Sequence, residues 1–358
     1  MRKMASIKVI SDVKSIPDAD KICAYQVGGW WVVDQVGKYK AGDLAVYCEI
    51  DSWIPNNVAP FLTKPGHFPK VYNEVEGEKL RTIRLRKQVS QGLLLPITRD
   101  MEIEFSHSFA LDFSGDRSLT EGTDVSEMLN IQKWEAPPEF TSADARGSFP
   151  SFIIKTDQER VQNCYAQVAE LFEGNTWEET EKCEGSSMTV YFRKSEDVED
   201  PGTFGVASRN MDLKENEENT FWKMALELDL KNKLTALGIN VAIQGELCGP
   251  GIQGNIYNLT KHMYFVFDVF DIDKFEYYSP EERRALTEQL KLTDAPVLNK
   301  AVSLVGKSCV DLLADADGHS VLGLVGCLRE GKVYKLNKGR KRVSFKAVSN
   351  KYLEKQKD

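Results

Sequence analysis

Short runs of β-forming residues separated by turn signals fill the first part of the chain. Ile7-Lys8-Val9-Ile10, Ile22-Cys23-Ala24-Tyr25-Gln26-Val27 and Trp30-Trp31-Val32-Val33 are rich in β-branched and aromatic side chains. Gly28-Gly29 between the last two predicts a tight hairpin. Leu44-Ala45-Val46-Tyr47-Cys48-Glu49-Ile50 follows the turn Ala41-Gly42-Asp43 as a further strand. Leu80-Arg81-Thr82-Ile83-Arg84-Leu85-Arg86 alternates apolar with polar or basic residues, which predicts a half-exposed strand with its three arginines on one face. The pattern then breaks. Pro137-Pro138, Gly147 and Pro150 mark an irregular stretch, preceded by a short helix predicted over Asp124–Ile131 with Thr123 or Asp124 as its cap.

Beyond residue 151 the spacing alternates between helical and strand-like. Glu159 through Phe172 has helical spacing and stops before Gly174, and Phe221 through Leu237 is amphipathic and closed by Gly238. Ser279-Pro280 opens another helix, with the serine as cap and the proline at the first position. Thr189–Phe192, Thr203–Ser208, Val241–Leu247 and Tyr264–Phe270 read as strands. The pattern predicts an α+β chain with antiparallel sheets rather than repeated βαβ units. Five or so short strands in about 100 residues suggest a small closed barrel of the oligonucleotide-binding type. The expected organisation is such a barrel over 1–130, a linker over 131–150, and a second domain over 151–358. Trp30, Trp31 and Trp53 would be barrel core or platforms for stacked bases.

Composition narrows the class. A chain of 358 residues suits two domains, and 42% hydrophobic content is that of ordinary globular protein. No apolar run approaches membrane-spanning length, and Met1-Arg2-Lys3-Met4 lacks the apolar core of a secretion signal. Seven cysteines without close pairing predict free thiols in a reducing, cytoplasmic compartment. His67, His107, His262 and His319 lie far apart, which argues against structural zinc. A net charge of −8 argues against a protein that coats nucleic acid non-specifically. Yet Gly331–Asp358 carries ten Lys or Arg and two acids, which reads either as a solvated tail or as a local phosphate-binding surface.

Candidate chemistry centres on Lys182-Cys183-Glu184-Gly185-Ser186-Ser187. A lysine amine can attack a nucleotide phosphate once desolvation or a nearby cation lowers its pKa. A glycine lets backbone approach closely, and hydroxyls can donate to sugar or phosphate oxygens. Four elements follow in order. Arg209 ends a strand and suits phosphate or ribose oxygens; Glu246 lies among glycines and suits a ribose or a hydrated divalent ion. Phe267-Asp268 places a stacking ring and a carboxylate in an apolar strand, and Lys346 sits in the basic C-terminal region.

In this order the segments resemble the covalent nucleotidyltransferases, and most closely the ATP-dependent RNA ligases of the Deinococcus and Naegleria type. Lys182 through Ser187 resembles their motif I, Arg209 motif Ia, Glu246 motif III, Phe267-Asp268 motif IIIa and Lys346 motif V. Lys155 through Asn163, Gly249 through Asn255, Ala19-Asp20-Lys21-Ile22 and Tyr47 through Asp51 resemble the same group, so the likeness covers nearly the whole chain. The resemblance implies an N-terminal OB barrel followed by a nucleotidyltransferase domain. It implies ATP and Mg2+ or Mn2+ as cofactors, with Lys182 as nucleophile forming lysyl-AMP. Glu181, Glu184, Gly185, Ser187, Arg209, Glu246, Phe267 and Lys346 would bind the nucleotide, with Glu246 also serving the metal. AMP would then pass to an RNA 5′-phosphate, and a 3′-hydroxyl would displace it. The implied partner is RNA or a nicked duplex with a 3′-OH RNA strand, handled by a monomer acting in RNA repair without a membrane.

One departure stands out. The family's motif IV, Glu-Gly-hydrophobic-Val followed by a basic residue, finds its best match in Leu322-Gly323-Leu324-Val325, with leucine in place of the metal-organising glutamate. Arg329 or Glu330 would have to compensate from a shifted register. Ser344 also stands where many relatives carry a first motif V lysine. A second reading is therefore a degenerate ligase that binds RNA ends or nicks without sealing them. A capping enzyme or DNA ligase is disfavoured, because the chain ends soon after Lys346 and leaves no room for their C-terminal barrel.

Overall fold

The computed structural model describes residues 3–101, 119–135, 142–195, 197, 200, 202–340 and 342–355. The chain divides into two compact units, Met1–Pro137 and Pro138–Asp358. The architecture is α+β with mostly antiparallel sheets, as the patterning predicts.

Among the described residues of the first unit, short strands form four small sheets. The first predicted hairpin is present: Ala19–Val27 pairs with Trp30–Gln35, with Val27 opposite Trp30 across Gly28-Gly29. Trp30 and Trp53 are core, at 2% and 3% exposure, whereas half-buried Trp31 carries the Lys14 ammonium over its ring at 3.9 Å. Three sequence expectations change. Asp124–Ile131 is a series of turns, because the Asp124 carboxylate accepts from the Ser126 amide and hydroxyl and Val125 pairs with Ala5. Such local side-chain bonds compete with helix formation. The basic strand spans only Ile83–Leu85, and its ladder with Gln88–Ser90 puts Arg86 and Lys87 in the turn. Only Arg84 of the three arginines lies in the strand, so they share no face. Within 131–150, read as a linker, Gln132–Lys133 pairs with Ser52-Trp53 and Ala145–Ser148 pairs with Met211–Leu213.

The second unit contains an eight-stranded sheet and a five-stranded sheet. Helices Thr220–Glu227, Leu230–Leu237 and Pro280–Gln289 cover one face of the larger sheet, burying Phe221, Trp222, Leu234 and Leu286 with Val190, Ile243 and Val266. The first two were expected as one helix. Asp229 breaks them apart by adopting φ +54°. Gly238 ends the second helix in the left-handed region, and Ser279 with Glu282 forms a reciprocal capping box on the third. Helices Val161–Ala169 and Cys309–Ala316 cover one face of the smaller sheet, around Trp177, Tyr334 and Phe345.

The remaining faces of the two sheets are tied by charge. Arg283, essentially inaccessible, donates to the fully buried Glu178 carboxylate at 2.8 Å and to Asp294 at 3.0 Å. Asp268 is held by Lys335 at 2.7 Å and Arg342 at 2.9 Å. Although burial alone would raise it, the Arg342 and Lys335 charges hold the Asp268 carboxyl below its usual value. Burial pushes the Lys335 ammonium down to about 8 despite that partner. Among the described residues, no helix is long and apolar enough to cross a membrane. All seven cysteines are free thiols.

Candidate active site

The nucleophile candidate closes the strand Trp177–Lys182, a sequence with three glutamates in six residues. Alternation makes this possible, because successive side chains point to opposite faces. Glu178, Thr180 and Lys182 share one face, while Trp177, Glu179 and Glu181 share the other. Every acid has a partner, as buried charge requires. Glu178 meets Arg283 and Arg284, and Glu179 meets Lys332. Glu181 accepts from the Ser320 hydroxyl and from the Val321 amide at 2.9 Å. That carboxylate, implied as nucleotide-binding, is thus occupied in bracing the 320–321 loop.

Lys182 Nζ lies 2.6 Å from Glu330 Oε1. Burial alone would push the Lys182 ammonium down, but the Glu330 and Glu246 carboxylates outweigh it and hold it above its ordinary value. A lysine held this way must lose a proton before its nitrogen can attack. Glu330 directly precedes the strand Gly331–Leu336, which pairs with the nucleophile strand with Gly331 opposite Lys182. A Cβ on Gly331 would lie 2.3 Å from the Ala347 carbonyl oxygen, so only glycine allows the ladder to start beside the carboxylate.

Glu330-Gly331-Lys332-Val333 is consequently the Glu-Gly-x-Val segment, and the assignment to Leu322 is corrected. The pattern was present in the sequence; requiring a hydrophobic residue where Lys332 stands concealed it. Lys332 tolerates that place because its strand face presents Glu179 as a partner. Leu322 instead packs half-buried against the apolar cluster containing Cys183, Cys248, Tyr257 and Phe265.

Glu246 approaches Lys182 from the larger sheet. In its strand Val241–Cys248, Glu246 lies opposite Ser187 on one side and Phe265 on the other. Burial pushes its carboxyl up to about 7, partly offset by the Lys182 charge and reinforced by Glu330. Glu184 is also raised, by burial and by Glu330. Its amide donates to the Tyr257 hydroxyl at 2.7 Å, and its carbonyl accepts from Cys248 Sγ. Gly185 serves packing as well as access: a Cβ there would lie 2.3 Å from the Leu247 carbonyl oxygen.

Arg209 reaches the same region from the loop after Thr203–Ala207 and pairs with Asp157 at 2.9 Å. Lys155 donates to Asn210, and Gln244 donates to the Ile154 carbonyl, so the 154–157 segment is fastened beside the cleft. An open, shallow pocket is lined by Phe149, Lys155, Thr156, Asp157, Ser187, Thr189, Arg209 and Gln244. Lys346 sits two strands from the nucleophile strand. Thr180, Val333 and Lys346 form one cross-strand row, which places Lys346 on the sheet face of Lys182. Phe267 lies at a register shift in Met263–Asp271, and its carbonyl accepts from Lys335 and from Arg283 at 3.2 Å. The supporting set of Glu178, Asp268, Arg283, Lys335 and Arg342 was not foreseen as a network.

Among the described residues, no group of three or more His, Cys, Asp or Glu side chains is assembled to hold a metal ion. A pair such as Glu246 and Glu330 fits an ion of the Mg2+ kind, which keeps several waters and takes one or two carboxylates plus substrate phosphates.

Comparison with known proteins agrees with this geometry. An RNA ligase family model matches residues 175–348, and an OB-fold domain model matches residues 4–97. A lysine-to-methionine variant of Naegleria gruberi RNA ligase, solved with AMP and Mn, is 40% identical with TM-score 0.85 and coverage of 100% of both chains. A lysine-to-alanine variant solved with ATP and Mn is 39% identical with TM-score 0.85, covering 99% of each chain. The same ligase with pyrophosphate is 39% identical with TM-score 0.84, again covering 99% of each. No curated protein matches the chain. The chain belongs to the RNA ligase family, with an N-terminal OB-fold domain followed by the ligase domain.

Proposed function

We propose that this protein is an ATP-dependent ligase that joins a 3′-hydroxyl to a 5′-phosphate on RNA, acting at nicks through lysyl-AMP and adenylylated RNA. The observation that carries this reading is the half-buried Lys182–Glu330 contact, with Glu246 as the second carboxylate acting on the same amine. In the first step the Lys182 nitrogen forms a bond to the α-phosphorus of ATP while the bond to pyrophosphate breaks. The Lys182 proton must pass to solvent before the nitrogen attacks, and the Glu330 and Glu246 charges oppose that loss. Glu330 and Glu246 would hold a divalent cation, whose positive charge would offset the two carboxylates and stabilise charge on the phosphate oxygens. Arg209 and Lys346 stabilise charge on the transferred phosphate, Ser187 lies at the pocket wall beside it, and Phe267 packs on adenine. Glu184 holds its backbone in place through Tyr257.

In the second step AMP moves from Lys182 to the RNA 5′-phosphate. In the third the 3′-oxygen bonds to that phosphate and AMP leaves. The non-sealing reading rested on Leu322, and Glu330 removes that motive. A nicked duplex with an RNA 3′-OH strand and a labelled 5′-phosphate tests the proposal. The expected result is sealed product with ATP and Mg2+ or Mn2+, abolished by Lys182→Ala. Tight binding of the nick with no sealed or adenylylated strand would favour the non-sealing reading.

A further inference from the structure

The basic hairpin of the first unit has no part in the site above. Between Leu80 and Thr98 the chain carries Arg81, Arg84, Arg86 and Lys87 and no acid, within a protein of net charge −8. Leu85 pairs with Gln88, so Arg86 and Lys87 are the two central residues of a two-residue turn. Their φ angles are +48° and +66°. Such a turn favours Asn-Gly, because each Cβ is crowded in the left-handed region. Two long cationic side chains are therefore held where the backbone disfavours them, and local folding supplies no reason for them. Both are exposed, and no ion pair engages either among the described residues. Arg81 and Arg84 do have interactions within the protein, which leaves the tip pair as the outward-facing charge. Exposed Ile83 and Leu85 flank it.

We infer that the Arg86-Lys87 tip is a phosphate-gripping contact for the sugar–phosphate backbone of the RNA substrate. The inference rests on the ligase reading, whose substrate is a polyanion. Two adjacent exposed cations at the turn offer charge to a polyanionic backbone without a fixed base-reading geometry. The contact therefore contributes sequence-independent affinity.

The test is the full-length double variant Arg86→Asn/Lys87→Gly, which removes both charges and supplies the dipeptide the turn prefers. Binding to a nicked RNA duplex with a 3′-deoxy end is measured by anisotropy across a salt series. The expected result is affinity lower on the order of tenfold, and a log Kd against log salt slope smaller by about 1.8, at roughly 0.9 per phosphate. The melting temperature should equal or exceed that of the parent, so weaker binding cannot be assigned to unfolding. Arg86→Lys should keep the parent slope. Unchanged affinity and slope in the double variant would overturn the inference, whatever else the hairpin binds. Labelling of the protein by ATP without RNA should match the parent; its absence in both proteins would sink the ligase reading, while the salt slope would still report on the hairpin.

Discussion

Glu330→Gln separates two roles that the proposed mechanism gives to one carboxylate. Glu330 Oε1 lies 2.6 Å from Lys182 Nζ, and the side chains are 17% and 24% exposed, so water screens the pair only partly. A hydrogen bond to a charged group contributes about 1.5–3 kcal/mol, against about 1 kcal/mol for a neutral one. The glutamine can still accept from the amine but no longer holds its proton by charge. The difference, about 0.5 to 2 kcal/mol, makes the proton easier to remove by a factor on the order of ten. With no nucleotide present, an amine-directed reagent near pH 8 should therefore modify Lys182 on the order of ten times faster in the variant, as read by peptide mass spectrometry. Adenylylation with ATP and Mn2+ should move the opposite way, falling roughly 10- to 100-fold, because a group that organises the metal is lost. Leu322→Glu should bring no gain, since it puts a carboxylate into the apolar cluster around Cys183 and Tyr257. Adenylylation undiminished in Glu330→Gln, or increased in Leu322→Glu, would refute the assignment of the Glu-Gly-x-Val segment to Glu330.

Further predictions follow from the buried charges. Glu246 titrates near 7 when folded against an ordinary 4.5, so the stability it contributes is full below about pH 4.5 and is lost as pH rises through about 7. Glu246→Gln should then be more stable than the parent at pH 8 by about 3 kcal/mol and little different at pH 4.5, by urea unfolding at both pH values, while losing adenylylation. Arg283→Met leaves the Glu178 carboxylate without its main partner in a site closed to water. The cost should be about 3–5 kcal/mol, read as a drop on the order of 10 °C in the melting temperature of this unit. Gly331→Ala drives a methyl against the Ala347 carbonyl oxygen. It should lower stability by about 1–3 kcal/mol and reduce adenylylation by displacing Glu330, with circular dichroism as the check on the fold.

Much of this arrangement was legible because it is local. The glycine pair between Val27 and Trp30, the Ser279 cap and the Gly238 stop each act over a few residues, and each formed as the pattern predicts. The order of Lys182, Arg209, Glu246, Phe267 and Lys346 was likewise open to inspection. Where local rules conflicted, the sequence misled: helical spacing continues through Asp229, but the backbone turns left-handed there and splits the helix. Glu330 was missed because a positional rule asked for an apolar residue at Lys332, whose charge is satisfied by Glu179 on the neighbouring strand. That pairing is known only once Glu181 and Lys332 are in register. The Glu178–Arg283 and Asp268–Lys335 contacts span 105 and 67 positions. No periodicity reports them, and burial is what gives them their energetic weight.

The central claim is that Lys182, with Glu330 and Glu246 as its carboxylates, forms a covalent bond to AMP. Incubating the purified protein with α-labelled ATP and Mg2+ or Mn2+, with no nucleic acid present, tests it most directly. The account predicts label on the protein at the Lys182 peptide, absent in Lys182→Ala and strongly reduced in Glu330→Gln. No label with either metal, or label that persists in Lys182→Ala, would contradict it.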